Sequence, residues 1–174
     1  MSQGAIHGLT SAFSHGRAFS ETLKGTSPAA GAGYSLTVSG AYAERFMACR
    51  FQLATSATSA NRIVTVDYVN PGAGIFASAG PTAIQAASLT NLYCGSQGFG
   101  ASDWNTGTAA FFNLPNIILL PGFQLQINVA AIDTTDQLSA ITFLRERFQT
   151  GKEGFPLGFL EESEWVEQYE TIGR

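Results

Sequence analysis

The chain has little of what catalysis and metal binding draw on. Charged side chains make up only 13% of its 174 residues against 45% hydrophobic ones, and it carries just two histidines and two cysteines. A nucleophile, base and orienter arrangement needs a histidine fixed beside a serine or cysteine. His7 and His15 both fall in a Ser/Gly/Ala-rich stretch near the N-terminus that has nothing to fix them. Cys49 and Cys94 belong to no CxxC or other metal-ligand spacing, and in a reducing compartment they read as small buried hydrophobes rather than a disulfide. No run approaches 18 apolar residues, so no membrane-spanning helix is expected. The opening MSQGAIHGLTSAFSHGR lacks the apolar core of a signal peptide, which points to synthesis in a cytoplasm. No GxxxxGK[ST] run is present, and GSQGFG at 95–100 has the wrong spacing for a dinucleotide site. The sequence therefore offers no catalytic residue, no cofactor site and no metal site, and an enzyme is not expected.

Charge is unevenly placed. Up to residue 150 the acidic groups Glu21, Glu44, Asp67, Asp103, Asp133, Asp136 and Glu146 balance Arg17, Lys24, Arg45, Arg50, Arg62, Arg145 and Arg147. The net charge of −4 comes from the remainder, where Glu153, Glu161, Glu162, Glu164, Glu167 and Glu170 face only Lys152 and Arg174. No basic stripe exists to neutralise a run of phosphates, so direct nucleic-acid binding is not expected. A weakly charged exterior suits a subunit whose surface is covered by neighbours, and a homo-oligomer follows as an expectation.

What the chain does have is period-two patterning, because successive side chains of a strand point to opposite faces. YSLTV at 34–38 opens it. In ERFMACRFQLAT, Met47, Cys49, Phe51 and Leu53 share a face; in RIVTVDYV, Val64, Val66 and Tyr68 do. IFASAG, the stretch from Ile84 to Tyr93, TAAFFNL and NIILL are further strands, the last two flanking Pro115, with a helix as the competitor over 84–93. LPGFQLQINV sets Phe123, Leu125, Ile127 and Val129 together, and after AIDTTD the residues Leu138, Ala140, Thr142, Leu144 and Phe148 continue a face. Ile141 and Phe143 lie opposite, which reads as a last strand buried on both sides. Such short strands with Gly/Pro-rich connections predict an all-β fold, a single β-sandwich or jelly-roll-like domain over 34–148.

Two arms flank that domain. Residues 1–33 scatter their apolar groups and admit at most a short helix over Ser20–Lys24, capped by Ser20. Residues 149–174 form an acidic, aromatic arm in which Trp165, Tyr169 and Ile172 recur at helical spacing. This segment either packs on its own chain or lies in a groove of a neighbour. Phe13, Phe19, Phe155, Phe159, Trp165 and Tyr169 are the candidate partner-binding anchors. Arg62, Asp133 and Asp136 are the candidate turn residues: the arginine has several donors for backbone carbonyls or a carboxylate, and IDTTD fits a hairpin turn better than a calcium site. Phe99 and Trp104, in the loop SQGFGASDWNTG, form either a sugar-stacking platform or packing for that loop.

The run FQLATSATSANRIVTVDYV, followed by IQAASLTNLY and LPGFQLQINVAAIDTTDQLSAITFLRERF, resembles a group of tailed-bacteriophage virion proteins, over roughly residues 45–148. The shared features are a TSAT-x-ANR turn between two strands and a late LP-G hairpin leading to DQLSAI. The resemblance implies a non-enzymatic β-sandwich subunit of the virion. The expected role is capsid decoration or cementing through repeated contacts, with a neck or tail component or a carbohydrate-binding module as alternatives. Its expected partners are the major capsid protein or neck and tail proteins of the same particle, with no membrane and no direct nucleic-acid contact.

Overall fold

The computed structural model describes residues 18–40, 42–72, 74–82, 84–99 and 108–149. Ten strands run through them: β1 (Ala18–Lys24), β2 (Tyr34–Thr37), β3 (Tyr42–Ala54), β4 (Ile63–Asn70), β5 (Gly74–Ala79), β6 (Thr90–Ser96), β7 (Ala109–Asn113), β8 (Ile118–Leu119), β9 (Gln124–Ala130) and β10 (Gln137–Gln149). They form two sheets. One has the order β1-β10-β3-β6-β7 with β8 also on β3; the other has the order β2-β9-β4-β5.

Setting aside β7 and β8 leaves eight strands in four antiparallel pairs, β1·β10, β2·β9, β3·β6 and β4·β5. The first strand pairs the last, the second the next to last, and so inward. The four pairs alternate between sheets, so a long hairpin folded at the β4–β5 turn wraps around itself, which is a jelly roll. The expected all-β sandwich is thus the observed fold. β7 and β8 are an addition between the sixth and seventh strands of the roll. β7 runs parallel to β6, and β8 continues along β3 at Glu44 and Arg45.

The inward faces carry the hydrophobic alternation. Val64, Val66 and Tyr68 of β4, and Leu125 and Ile127 of β9, meet Phe51 and Leu53 of β3 and Phe143 of β10, all essentially solvent-free. Each such side chain contributes about 1.5–3 kcal/mol by leaving water. Phe51 and Tyr93 stack with centroids 5.2 Å apart, and Phe143 lies between Phe46 and Tyr34. Close approach decides Gly95: a Cβ there would stand 2.7 Å from the Phe112 ring and 2.9 Å from Cys49 Sγ. The thiol of Cys49 is buried and pushed up to about 12 by that burial.

Several local expectations are corrected. Ser20–Lys24 is extended, not helical, and Ala18–Lys24, placed above in the N-terminal arm, is the first strand of the roll. The expected strand over Ile84–Tyr93 starts only at Thr90; Gln85 instead bridges to Arg62 within a loop. Met47 does not join the face of Cys49, Phe51 and Leu53. The register of β3 on β10 shifts between Ala48 and Phe46, so an extra residue puts Phe46 inward. A second bulge lies in β10, where Ala140 adopts φ 51°. It brings Ile141 and Phe143 onto the inward face with Leu138 and turns Leu144 outward, so β10 is not buried on both sides. Residues 1–17 and 150–174 of the expected arms lie outside the described residues.

Candidate functional site

Polar chemistry collects at the two ends of the sandwich. At one end lie the β1–β2, β3–β4, β5–β6 and β9–β10 connections. The other holds the β2–β3 and β4–β5 turns, the start of β1 and the finish of β10.

At the loop end, Arg62 precedes β4 and is fully buried. Its Nε donates to Asp136 Oδ2 (2.9 Å), and Nη2 donates to Asp136 Oδ1 (3.1 Å) and Ser56 Oγ (3.1 Å). Nη1 donates to the carbonyls of Thr58 (2.7 Å) and Ala60 (2.9 Å), so all five guanidinium donors are used. Asp136 is equally saturated, since it also accepts from the backbone N–H of Ser56 (2.7 Å) and Asp133 (2.8 Å). Burial pushes its carboxyl upward, but the Arg62 guanidinium and the two N–H groups outweigh that and bring it down to about 2. Asp133 caps the same turn, accepting from both N–H and hydroxyl of Thr135, which lowers its own carboxyl. Beside them Gln85 donates to the carbonyls of Leu53 and Leu89 and accepts from the Tyr93 hydroxyl. No bonding position in the Arg62–Asp136 pair is left for a ligand. The pair ties the TSATSAN turn to the β9–β10 hairpin and holds both shut.

The strand end is different. On the inward face of the larger sheet, Arg145 donates to Glu44 (2.8 and 2.9 Å) and Glu21 (2.8 Å). Arg147 stands 3.3 Å from Glu44 and 3.4 Å from Glu21. The Arg147 guanidinium lies over Tyr42, 4.1 Å from its ring centre, and Phe19 meets Tyr42 edge-on. On the opposite face Arg45 pairs with Glu146 and lies over Phe148. In the fold Glu146 takes Arg45, and Asp67 takes the neutral donors Thr65, Ser78 and Asn128. The alternation in LRERF was the available signal, because it puts Arg145 and Arg147 on one face and Glu146 on the other.

Of the candidate anchors, Phe19 is the one the structure places, at the strand end and partly exposed. Phe13, Phe155, Phe159, Trp165 and Tyr169 lie outside the described residues, as does Trp104. Phe99 is exposed and packs obliquely on Phe111. Other large apolar side chains left in solvent include Ile63, Ile75, Phe76, Ile84, Leu89 and Leu144. Among the described residues no three His, Cys, Asp or Glu side chains stand close enough to hold a metal ion, and no helix is long and apolar enough to cross a membrane.

Compared with known proteins, the chain matches no family model, no curated protein and no solved structure.

Proposed function

We propose that this chain is a non-enzymatic structural subunit of a tailed-bacteriophage particle, and within it a decoration or cement protein seated on the major capsid protein. One observation carries the reading: Ala18 of β1 is in register with Phe148 of β10. The segments before and after the roll therefore leave it side by side, at the end that carries the exposed Phe19 and the half-buried Tyr42. A body with two aromatic-bearing segments departing from one end is built to be held by that end. The exposed Ile75 and Phe76 on the edge strand β5, which carries no charge, add a surface suited to burial between subunits. Many copies of a modest contact then stabilise a shell through avidity.

Quantitative mass spectrometry of purified particles tests this. A head protein is present in copies on the order of hundreds, whereas a neck or tail ring has about six or twelve, set by its rotational symmetry. Absence from the particle overturns the reading. Removing the residues after Thr150 should leave a cooperative melt and abolish incorporation into the particle. The carbohydrate-binding alternative has the exposed ring of Phe99 in its favour. It predicts glycan retention that is lost on Phe99→Ala or Trp104→Ala, with incorporation unchanged.

A further inference from the structure

The registers of four strand pairs place Lys24, Thr142, Arg50, Cys94 and Phe111 in one row across β1, β10, β3, β6 and β7. All five lie on the outward face of the larger sheet, opposite the core residues Leu23, Cys49, Tyr93 and Phe112. The adjoining row contains Leu144, 40% exposed. Arg45 on this face is matched by Glu146, but Lys24 and Arg50 have no carboxylate partner among the described residues. The face thus sets Leu144 and Phe111 among small polar side chains, with two positive charges unmatched among the described residues. The outward face of the smaller sheet has the opposite character. There Gln124, Gln126 and Asn128 bond to one another and to Asp67, with no cation among them.

We propose that the outward face of the larger sheet is the docking surface for this chain's own segment 150–174. Charge complementarity selects the occupant. The segment carries six glutamates against Lys152 and Arg174, together with Phe155, Phe159, Trp165 and Tyr169. The two unmatched cations suit it, and the outward face of the smaller sheet, whose one charge among the described residues is the buried Asp67, offers it no counter-charge. Connectivity agrees, because the segment follows Gln149, the last residue of β10 in this same sheet. The row of Arg50 lies seven residues back along β10, about 23 Å at strand spacing. Residues 150–161 reach roughly 40 Å when extended, so the glutamates that begin at Glu161 arrive over Lys24 and Arg50 without strain. Docking describes the free chain, in which the segment is stored on its own sheet until a neighbour takes it; it does not depend on the chain's belonging to a particle.

Cys94, on this face and only partly buried, reports on the cover, while Cys49 inside the core serves as the internal reference. The measurement is the alkylation rate of Cys94 in the full chain, followed by mass spectrometry. Lys24→Glu should speed it roughly twofold to fivefold, the worth of one partly shielded ion pair; Arg50 is kept, because its charge favours the reactive thiolate of Cys94. Glu161, Glu164, Glu167 and Glu170→Gln, which leave the sheet untouched, should give the same acceleration, as should high salt. Native rates should not change on dilution. Equal rates in the native chain and the glutamate variants overturn the proposal, whatever the sheet variant does. Rates that rise on dilution replace the chain's own segment with that of a second copy.

Discussion

The two ends of the sandwich both neutralise arginines with carboxylates, yet they do so in different physical settings. At the loop end Arg62 and Asp136 are wholly excluded from solvent, and each bonding position is filled. At the strand end Glu44 is buried, but Glu21 is 35% exposed and Arg147 is 20% exposed. Charges there are shared four ways and remain in touch with water. Loss of one partner from the first setting strands a charge; loss of one from the second is relieved by neighbours and solvent. The loop end is a closure of the fold, and the strand end is a surface beside which the chain enters and leaves.

The largest test of that contrast is Asp136→Asn, which leaves the Arg62 guanidinium buried without a counter-charge. It should cost about 3–5 kcal/mol in urea unfolding. If the loss is under about 1 kcal/mol, the closure is not what holds the turn. Acid provides the second test. The carboxyl of Asp136 sits at about 2 against an ordinary 3.8, so the unfolded chain binds the proton more readily. Its contribution, about 2 kcal/mol, is full above the ordinary value and is lost as pH falls from about 4 towards 2. That part of the acid sensitivity should vanish in Asp136→Asn.

Glu44→Gln comes third. Arg145 keeps Glu21, so the cost should be about 1–2 kcal/mol, and it should shrink in 1 M salt as screening weakens the pairs that Glu44 makes in the native chain. The loop-end pair should show no such salt dependence. The smallest effect is expected midway between the ends, at Tyr68. Its hydroxyl is buried and has no hydrogen-bond partner among the described residues. Tyr68→Phe removes an unpaired polar group and should leave thermal stability unchanged or slightly raised. A clear loss would mean that the hydroxyl has a partner.

Legibility followed sequence distance. β4 and β9 alternate without interruption, so their inward sets, Val64/Val66/Tyr68 and Leu125/Ile127/Val129, are read directly from the chain. β3 and β10 alternate too, but one inserted residue near Met47 and another at Ala140 exchange their faces. Period two cannot reveal such a slip, since the pattern on either side of it remains valid. β1 escaped because its Phe19, Glu21 and Leu23 face a polar end of the sheet and do not contrast with Ser20 and Thr22 as a core strand would. In the loop-end site, Arg62 and the two aspartates of IDTTD stood out as turn residues. That Arg62 and Asp136 bond to each other depends on residues 74 positions apart.

By itself the sequence determined the all-β class, most of the strands, the turns that separate them and the segregation of acidic charge beyond residue 150. These are properties of neighbours along the chain, governed by alternation, turn chemistry and composition. Tertiary structure decided the pairing of first strand with last, the faces presented after each bulge and the partner of every buried charge. Those depend on which distant strands come to lie about 5 Å apart, and a one-residue shift in register is enough to reverse them.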